Sequence, residues 1–124
     1  MITQFNVSDL MPSDLPKDRT IAYYFSLSEE EIKTHIPQVW LTDDGYVLSD
    51  GNNYVVFHCY RGFSEIEVNY CGRCNEEMFG DDINKTVRDV KILKELGVES
   101  PYDLVKLVDW GKITASQNVN SFLY

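Results

Sequence analysis

Cys71-Gly72-Arg73-Cys74 places two thiols three residues apart at the end of a strand-like run. A turn of this spacing can present two thiolates to zinc, as in a zinc-ribbon knuckle, but a structural zinc takes four ligands. The chain has no second CxxC, and its third cysteine, Cys59, sits beside His58. In the strand register argued below, Cys59 lies five residues from the position opposite Cys71, or about 17 Å at about 3.3 Å per residue. Cys71 and Cys74 are therefore the two candidate ligands of a small zinc-stabilised module, with its other ligands unassigned. Thiol–disulfide catalysis, the other use of CxxC, calls for a helix N-terminus after a strand. Here the motif follows a hairpin strand.

A second arrangement is His58 opposite Glu67, with Tyr54 and Tyr60 alongside. A His–carboxylate pair can act as base and orienter in hydrolysis. No nucleophile in a recognisable turn accompanies it, and no second acid placed by a motif, so the structural or interfacial use of the pair is favoured. The acidic doublets Asp43-Asp44, Glu76-Glu77 and Asp81-Asp82 have no EF-hand spacing. Neither GxxxxGK[ST] nor GxGxxG occurs, so no nucleotide-binding loop is legible. Turn and cap chemistry accounts for Asp43-Asp44 before Gly45 and for Asp81-Asp82 before Ile83.

The elements that position these residues read as one α+β domain over 1–124. Residues 1–19 form an irregular arm, because Pro12 and Pro16 disfavour regular structure. Ile21, Tyr23, Phe25 and Leu27 alternate as a first strand. Ser28 and Glu31 then form a capping box, with Leu27 and Ile32 as a hydrophobic staple, opening a short helix that Pro37 ends. Runs 39–42, 45–49, 54–60 and 65–70 read as an antiparallel meander, separated by Asp- and Gly-containing turns. The predicted fold is thus a four- to five-stranded antiparallel meander, completed over 20–74 with the short N-terminal helix. Two C-terminal helices over 81–111 pack on one face. Gly97 is read as the C′ residue of the first and Pro101 as N1 of the second. The tail 115–124 is polar until Phe122-Leu123-Tyr124.

Alternation sorts the meander into two faces. Val55, Phe57, Cys59, Ile66, Val68 and Tyr70 form the buried one, joined by Val39, Leu41, Tyr46 and Leu48. A one-residue slip would bury Glu65 and Glu67, which their charge opposes. The opposite face carries Trp40, Tyr54, His58, Tyr60, Glu65 and Glu67, with Asp43 and Asp44 at its rim.

Composition decides what such a face is for. The net charge is −9. Residues 1–84 carry 15 acids against 5 bases, while residues 85–124 carry 5 against 6. This field repels nucleic acid and anionic membrane and favours cationic partners. No run of about 18 apolar residues occurs, and the first residues show no secretory signal. The expected compartment is the cytoplasm, with the cysteines reduced.

In composition the chain resembles phage-encoded inhibitors of bacterial nucleic-acid defence and immunity proteins that neutralise nuclease toxins. That resemblance implies a non-enzymatic protein that occupies the cationic, nucleic-acid-binding surface of a basic partner, with carboxylates standing in for phosphates. It implies no direct contact with nucleic acid or membrane, and no cofactor. The partner-binding residues are then Trp40, Asp43, Asp44, Tyr54, His58, Tyr60, Glu65 and Glu67. The alternatives are the zinc module on Cys71 and Cys74, and a structural subunit of a larger assembly. Locally, residues 94–105 resemble the second half of a helix-hairpin-helix module, but without the glycine hairpin that approaches a phosphate.

Overall fold

Six consecutive residues, Tyr54 to Cys59, are buried, and they form a helix rather than a strand. The computed structural model describes residues 1–74 and 76–115, with the backbone alone over 76–83. Its strands are β1 (Ile2–Asn6), β2 (Leu10–Met11), β3 (Gln38–Thr42), β4 (Gly45–Asp50) and β5 (Glu65–Arg73). Its helices are α1 (Asp18–Phe25), α2 (Glu29–Ile32), α3 (Asn52–Tyr60), α4 (Glu76–Glu95), α5 (Pro101–Val105) and α6 (110–115). The sheet order is β1-β5-β3-β4-β2. β1 pairs antiparallel with β5, and β3 with β4, while β5–β3 and β4–β2 are parallel.

This mixed five-stranded sheet replaces the expected antiparallel meander with two C-terminal helices. Residues 54–60 are α3, so β5 pairs not with them but with β1 and β3. A helix apolar on every side is one buried on every side, and a short apolar run cannot be told from a buried strand by periodicity. Residues 21–27, read as the first strand, are mostly α1. Its buried positions are Ile21 and Tyr24, three apart and so on one helical face, while Tyr23 is exposed. Residues 1–19, read as an irregular arm, supply β1 and β2.

The sheet is strongly curled. Four residues lead from Asn6 to Leu10, a reach of about 14 Å at most. Four strand spacings in a flat sheet span about 19 Å. The outer strands must therefore approach one another. Accordingly the rings of Phe5 (β1) and Tyr46 (β4) lie 4.9 Å apart, although β5 and β3 intervene in the sheet. Tyr70 completes the trio at 5.8 Å from Phe5 and 6.1 Å from Tyr46. The concave side holds the main core, in which Val39, Leu48, Ile66 and Val68 meet Val55, Val56 and Phe57 of α3. α1 and α5 pack on α3 from outside, bringing Ile21, Tyr24 and Leu104 into that core.

For the true strands the two faces fall as alternation sorts them, with Val39 opposite Leu48 and Leu41 opposite Tyr46. The helical cover differs from expectation. α4 contributes Val90 to a separate cluster with Met11 and Val47, on the convex side of the sheet, and only its last turn reaches the main core through Leu93. α4 also starts at Glu76, before the expected start at Asp81 or Asp82. The side-chain roles expected of Glu76, Glu77, Asp81, Asp82 and Ile83, and the tail 116–124, lie outside the described residues.

Local end signals are where the chain puts them. Ser28 Oγ accepts from Glu31 N–H at 3.2 Å while the Glu31 carboxylate accepts from Ser28 N–H at 3.1 Å, which is the expected capping box. Gly97, at φ 88°, closes α4: its N–H donates to Lys94 O, and Val98 N–H to Leu93 O, the two bonds of a Schellman motif. Pro101 stands at N1 of α5, where Asp103 accepts from the N–H of Glu99 and Ser100. Ser28→Ala should cost about 1 kcal/mol, the usual worth of a helix cap. The shift of the urea midpoint measures it, and an unchanged midpoint would show that the box contributes nothing.

Candidate functional site

Glu65 and Glu67 alternate with buried Ile66 and Val68, so β5 turns both carboxylates to the convex side, where both are exposed. Their neighbours across the strand pair are Asn6 and Gln4 of β1, also exposed. Neither glutamate joins an ion pair among the described residues. α4 packs over β4 and β2 on this side, so among the described residues the β1–β5 half of the convex face stays open.

Asp43 and Asp44 occupy the β3–β4 turn, fully in solvent, as their turn chemistry predicts. Asp43 pairs with Arg73 at the far end of β5. Six residues separate Arg73 from Glu67, or about 20 Å of strand. The two acidic groups thus lie about 20 Å apart along β5. Trp40 is half-buried on β3 between them.

Three expected members are elsewhere. Tyr54 and His58 are buried in α3, on the concave side, because the segment is helical rather than the expected strand. Their hydroxyl and imidazole are not part of the acidic face. The expected His58–Glu67 pair is not formed, since Glu67 is matched with Gln4. Tyr60 is 42% exposed at the end of α3, stacked flat on Trp110 at 3.9 Å and 2°. Trp110 is fixed by its indole N–H donating to Val105 O at 2.8 Å.

Burial perturbs both His58 and its neighbour Cys59. The His58 ring lies 4.3 Å from Tyr54 and 5.2 Å from Phe63, and its Nδ1 has no hydrogen-bond partner among the described residues. Burial, reinforced by the Arg61 guanidinium and opposed by Glu29, pulls its pKa down to about 4. Cys59 is buried beside it, and burial pushes its thiol up to about 12. Neither group has the solvent access and partner set of an acid–base catalyst.

Cys71 and Cys74 form no disulfide and are half-buried. Val39 aligns with Tyr70 but Leu41 with Arg73, so β5 carries an extra residue there, with Gly72 at φ 100°. CxxC is therefore a bulged strand end rather than a knuckle. Cys71 Sγ donates to Asn69 O at 3.5 Å, and Cys74 N–H continues the pairing to Leu41 O at 2.8 Å. No group of three or more His, Cys, Asp or Glu side chains is placed to hold a metal ion among the described residues. Likewise, no helix of the described residues is long and apolar enough to cross a membrane.

Sequence reasoning missed a polar cleft of about 420 Å³ between the loop 13–17, α1, the turn 49–53 and α4. Its residues come from segments far apart in the chain, so no local motif signals it.

No protein-family model and no curated protein matches the chain. Among solved structures, the chain is similar to protein Atu1540 from Agrobacterium tumefaciens, at 14% identity and a TM-score of 0.47. The match covers 73% of this chain and 48% of that one, so the chain spans about half the length of Atu1540.

Proposed function

We propose that the chain is a non-enzymatic acidic binding protein whose open convex face docks on the cationic surface of a nucleic-acid-handling protein, such as a nuclease. It would act as an inhibitor of the phage anti-defence or toxin-immunity type. One observation carries this reading: among the described residues the β1–β5 half of the sheet is left uncovered and presents Glu65 and Glu67 beside the amides Gln4 and Asn6. An antiparallel pair can present one face to solvent, and here its polar groups suit a charged partner better than an apolar one. Asp43 and Asp44 add a second acidic group about 20 Å away along the sheet, within reach of an ordinary protein interface. The net charge of −9 supplies the long-range attraction. Trp40 remains the aromatic member of the proposed surface, while Tyr54, His58 and Tyr60 leave it with α3.

The experiment is capture of partners from lysate with elution by a salt gradient, followed by kinetics with the captured protein. Release of one basic nucleic-acid-binding protein between low and moderate salt is the expected result. Glu65→Lys with Glu67→Lys should then slow association by about tenfold and flatten its salt dependence. Association unchanged by the double reversal would remove this face from the interaction.

A further inference from the structure

We infer that the cleft between α1, α3 and α4 binds a small sugar phosphate. It is separate from the acidic face and shares no residue with it.

The floor of the cleft is a built polar structure. Asn52 is 7% exposed: its Oδ1 accepts from Ser13 N–H at 2.9 Å, and its amide donates to Ser13 Oγ at 3.2 Å. Asn53 Oδ1 accepts from Lys17 N–H at 2.7 Å. These bonds turn both side chains of the α3 start toward the loop 13–17. The helix is left without a side-chain cap at Gly51, and its first intrahelical donor is Val55 N–H, to Gly51 O at 3.1 Å. The N–H groups of Asn52, Asn53 and Tyr54 therefore have no acceptor within the helix, and the first two belong to residues lining the cleft.

A second feature points to a ligand independently. Tyr24 is 7% exposed, and its ring is held by His35, Tyr54 and Phe57 at 5.5 to 6.1 Å. It lines the cleft, and its hydroxyl makes no hydrogen bond to any described residue. The hydroxyl is within reach of solvent, so a ligand acceptor can meet it. Burial first, and then the nearby Asp50 carboxylate, raise its pKa, so at neutral pH the hydroxyl is a donor.

The remaining lining fixes the ligand class. Lys17 and Lys85 are cationic, and Lys85 makes no ion pair among the described residues. Lys17 is 3.8 Å from Asp14, and Asp50 and Asp89 add two further carboxylates. Uncapped helix N–H groups with two ammonium groups suit a phosphate. Three carboxylates repel a bare anion but accept hydrogen bonds from hydroxyls. A neutral polyol would leave the helix end and the lysines unused, and inorganic phosphate would leave the carboxylates unused. Tyr24 is the only aromatic lining residue and its ring is buried, so no surface is offered for stacking a base. A phosphorylated sugar uses every group, and about 420 Å³ holds one.

The test is calorimetric titration of the full chain with ribose 5-phosphate and glucose 6-phosphate, each against the free sugar and inorganic phosphate. At least one sugar phosphate should saturate, at least about tenfold tighter than its sugar and than phosphate alone. Tyr24→Phe keeps the packed ring and should weaken binding about fivefold, the worth of one hydrogen bond. Lys85→Ala, on an exposed helix face, should weaken it about tenfold and leave partner docking through Glu65 and Glu67 intact. Absence of saturation by both sugar phosphates overturns the assignment. So does equal affinity for inorganic phosphate or for free sugar, or wild-type affinity in both variants.

Discussion

Acidification from pH 6.5 to 4 should lower the stability of the protein by roughly 2 kcal/mol, and His58→Phe should abolish most of that loss. The folded protein holds His58 at a pKa of about 4, against 6.5 when free, because burial disfavours the imidazolium and Arg61 repels it more than Glu29 attracts it. Between those values the unfolded chain binds a proton that the folded chain refuses. The stabilisation is therefore complete above pH 6.5 and is lost as pH falls through about 4. The whole shift would correspond to about 3 kcal/mol, reduced here for screening of the partly solvated Arg61 and Glu29. Glu31 and Asp103 also have lowered pKa values, from hydrogen bonds donated by Ser28, and by Glu99 and Ser100. Their stabilisation is present above their ordinary values and is lost as pH falls through their lower folded values. A phenyl ring fits among Tyr54, Phe57 and Phe63 and removes the unpartnered Nδ1. The variant should match or exceed the wild type at pH 7, by up to about 1 kcal/mol. Urea midpoints at pH 7, 5.5 and 4 decide it. A flat wild-type profile across that range, or the same slope in the variant, would show that His58 is hydrated.

The pattern of success in reading the chain follows where the information resides. The β3–β4 hairpin, the capping box at Ser28, the Gly97 terminus and Pro101 at N1 were legible because each is a local rule satisfied by neighbours in sequence. α3 was not. Tyr54-Val55-Val56-Phe57 carries β-branched and aromatic residues that favour strands, and burial on all sides erases helical periodicity. What makes it helical is tertiary: the curled sheet wraps it on one side and α1 and α5 cover the others. In α1, Ile21-x-Tyr23-x-Phe25 imitates a strand, although the residues that enter the core are Ile21 and Tyr24. β1 has only Thr3 and Phe5 facing inward, too weak a pattern to read. The same division governs the sites. Glu65 and Glu67 could be placed outward because they alternate with Ile66 and Val68 in a real strand. Tyr54 and His58 fell with the misread helix, and the cleft depends on Tyr24, Asn52 and Lys85, which only the fold brings together.

Gly51→Ala should destabilise the protein by about 3 kcal/mol, far more than the same change at Gly62. Both glycines have left-handed backbones, at φ 89° and φ 90°. Alanine in that region costs about 1 kcal/mol at either site. They differ in what a methyl group would meet. At Gly62 nothing lies within 4 Å, whereas at Gly51 a Cβ would come within 2.5 Å of Pro37 Cβ and 2.7 Å of Pro37 Cα. Pro37 cannot easily retreat: it is fully buried, its ring has no rotamer to change, and its carbonyl accepts from Asn69 N–H of β5 at 2.8 Å. Moving it would pull on the β3–β5 pairing, and moving Gly51 would displace the start of α3 from the sheet that wraps it. The contact thus sets where the chain leaves β4 and enters the buried helix, a turn that the sequence signals only as Asp50-Gly51-Asn52-Asn53. Parallel urea titrations of the two variants separate the contributions, because the backbone cost is common to both. Equal losses would mean that the Pro37 contact relaxes freely, and that α3 is held in register by its core side chains alone.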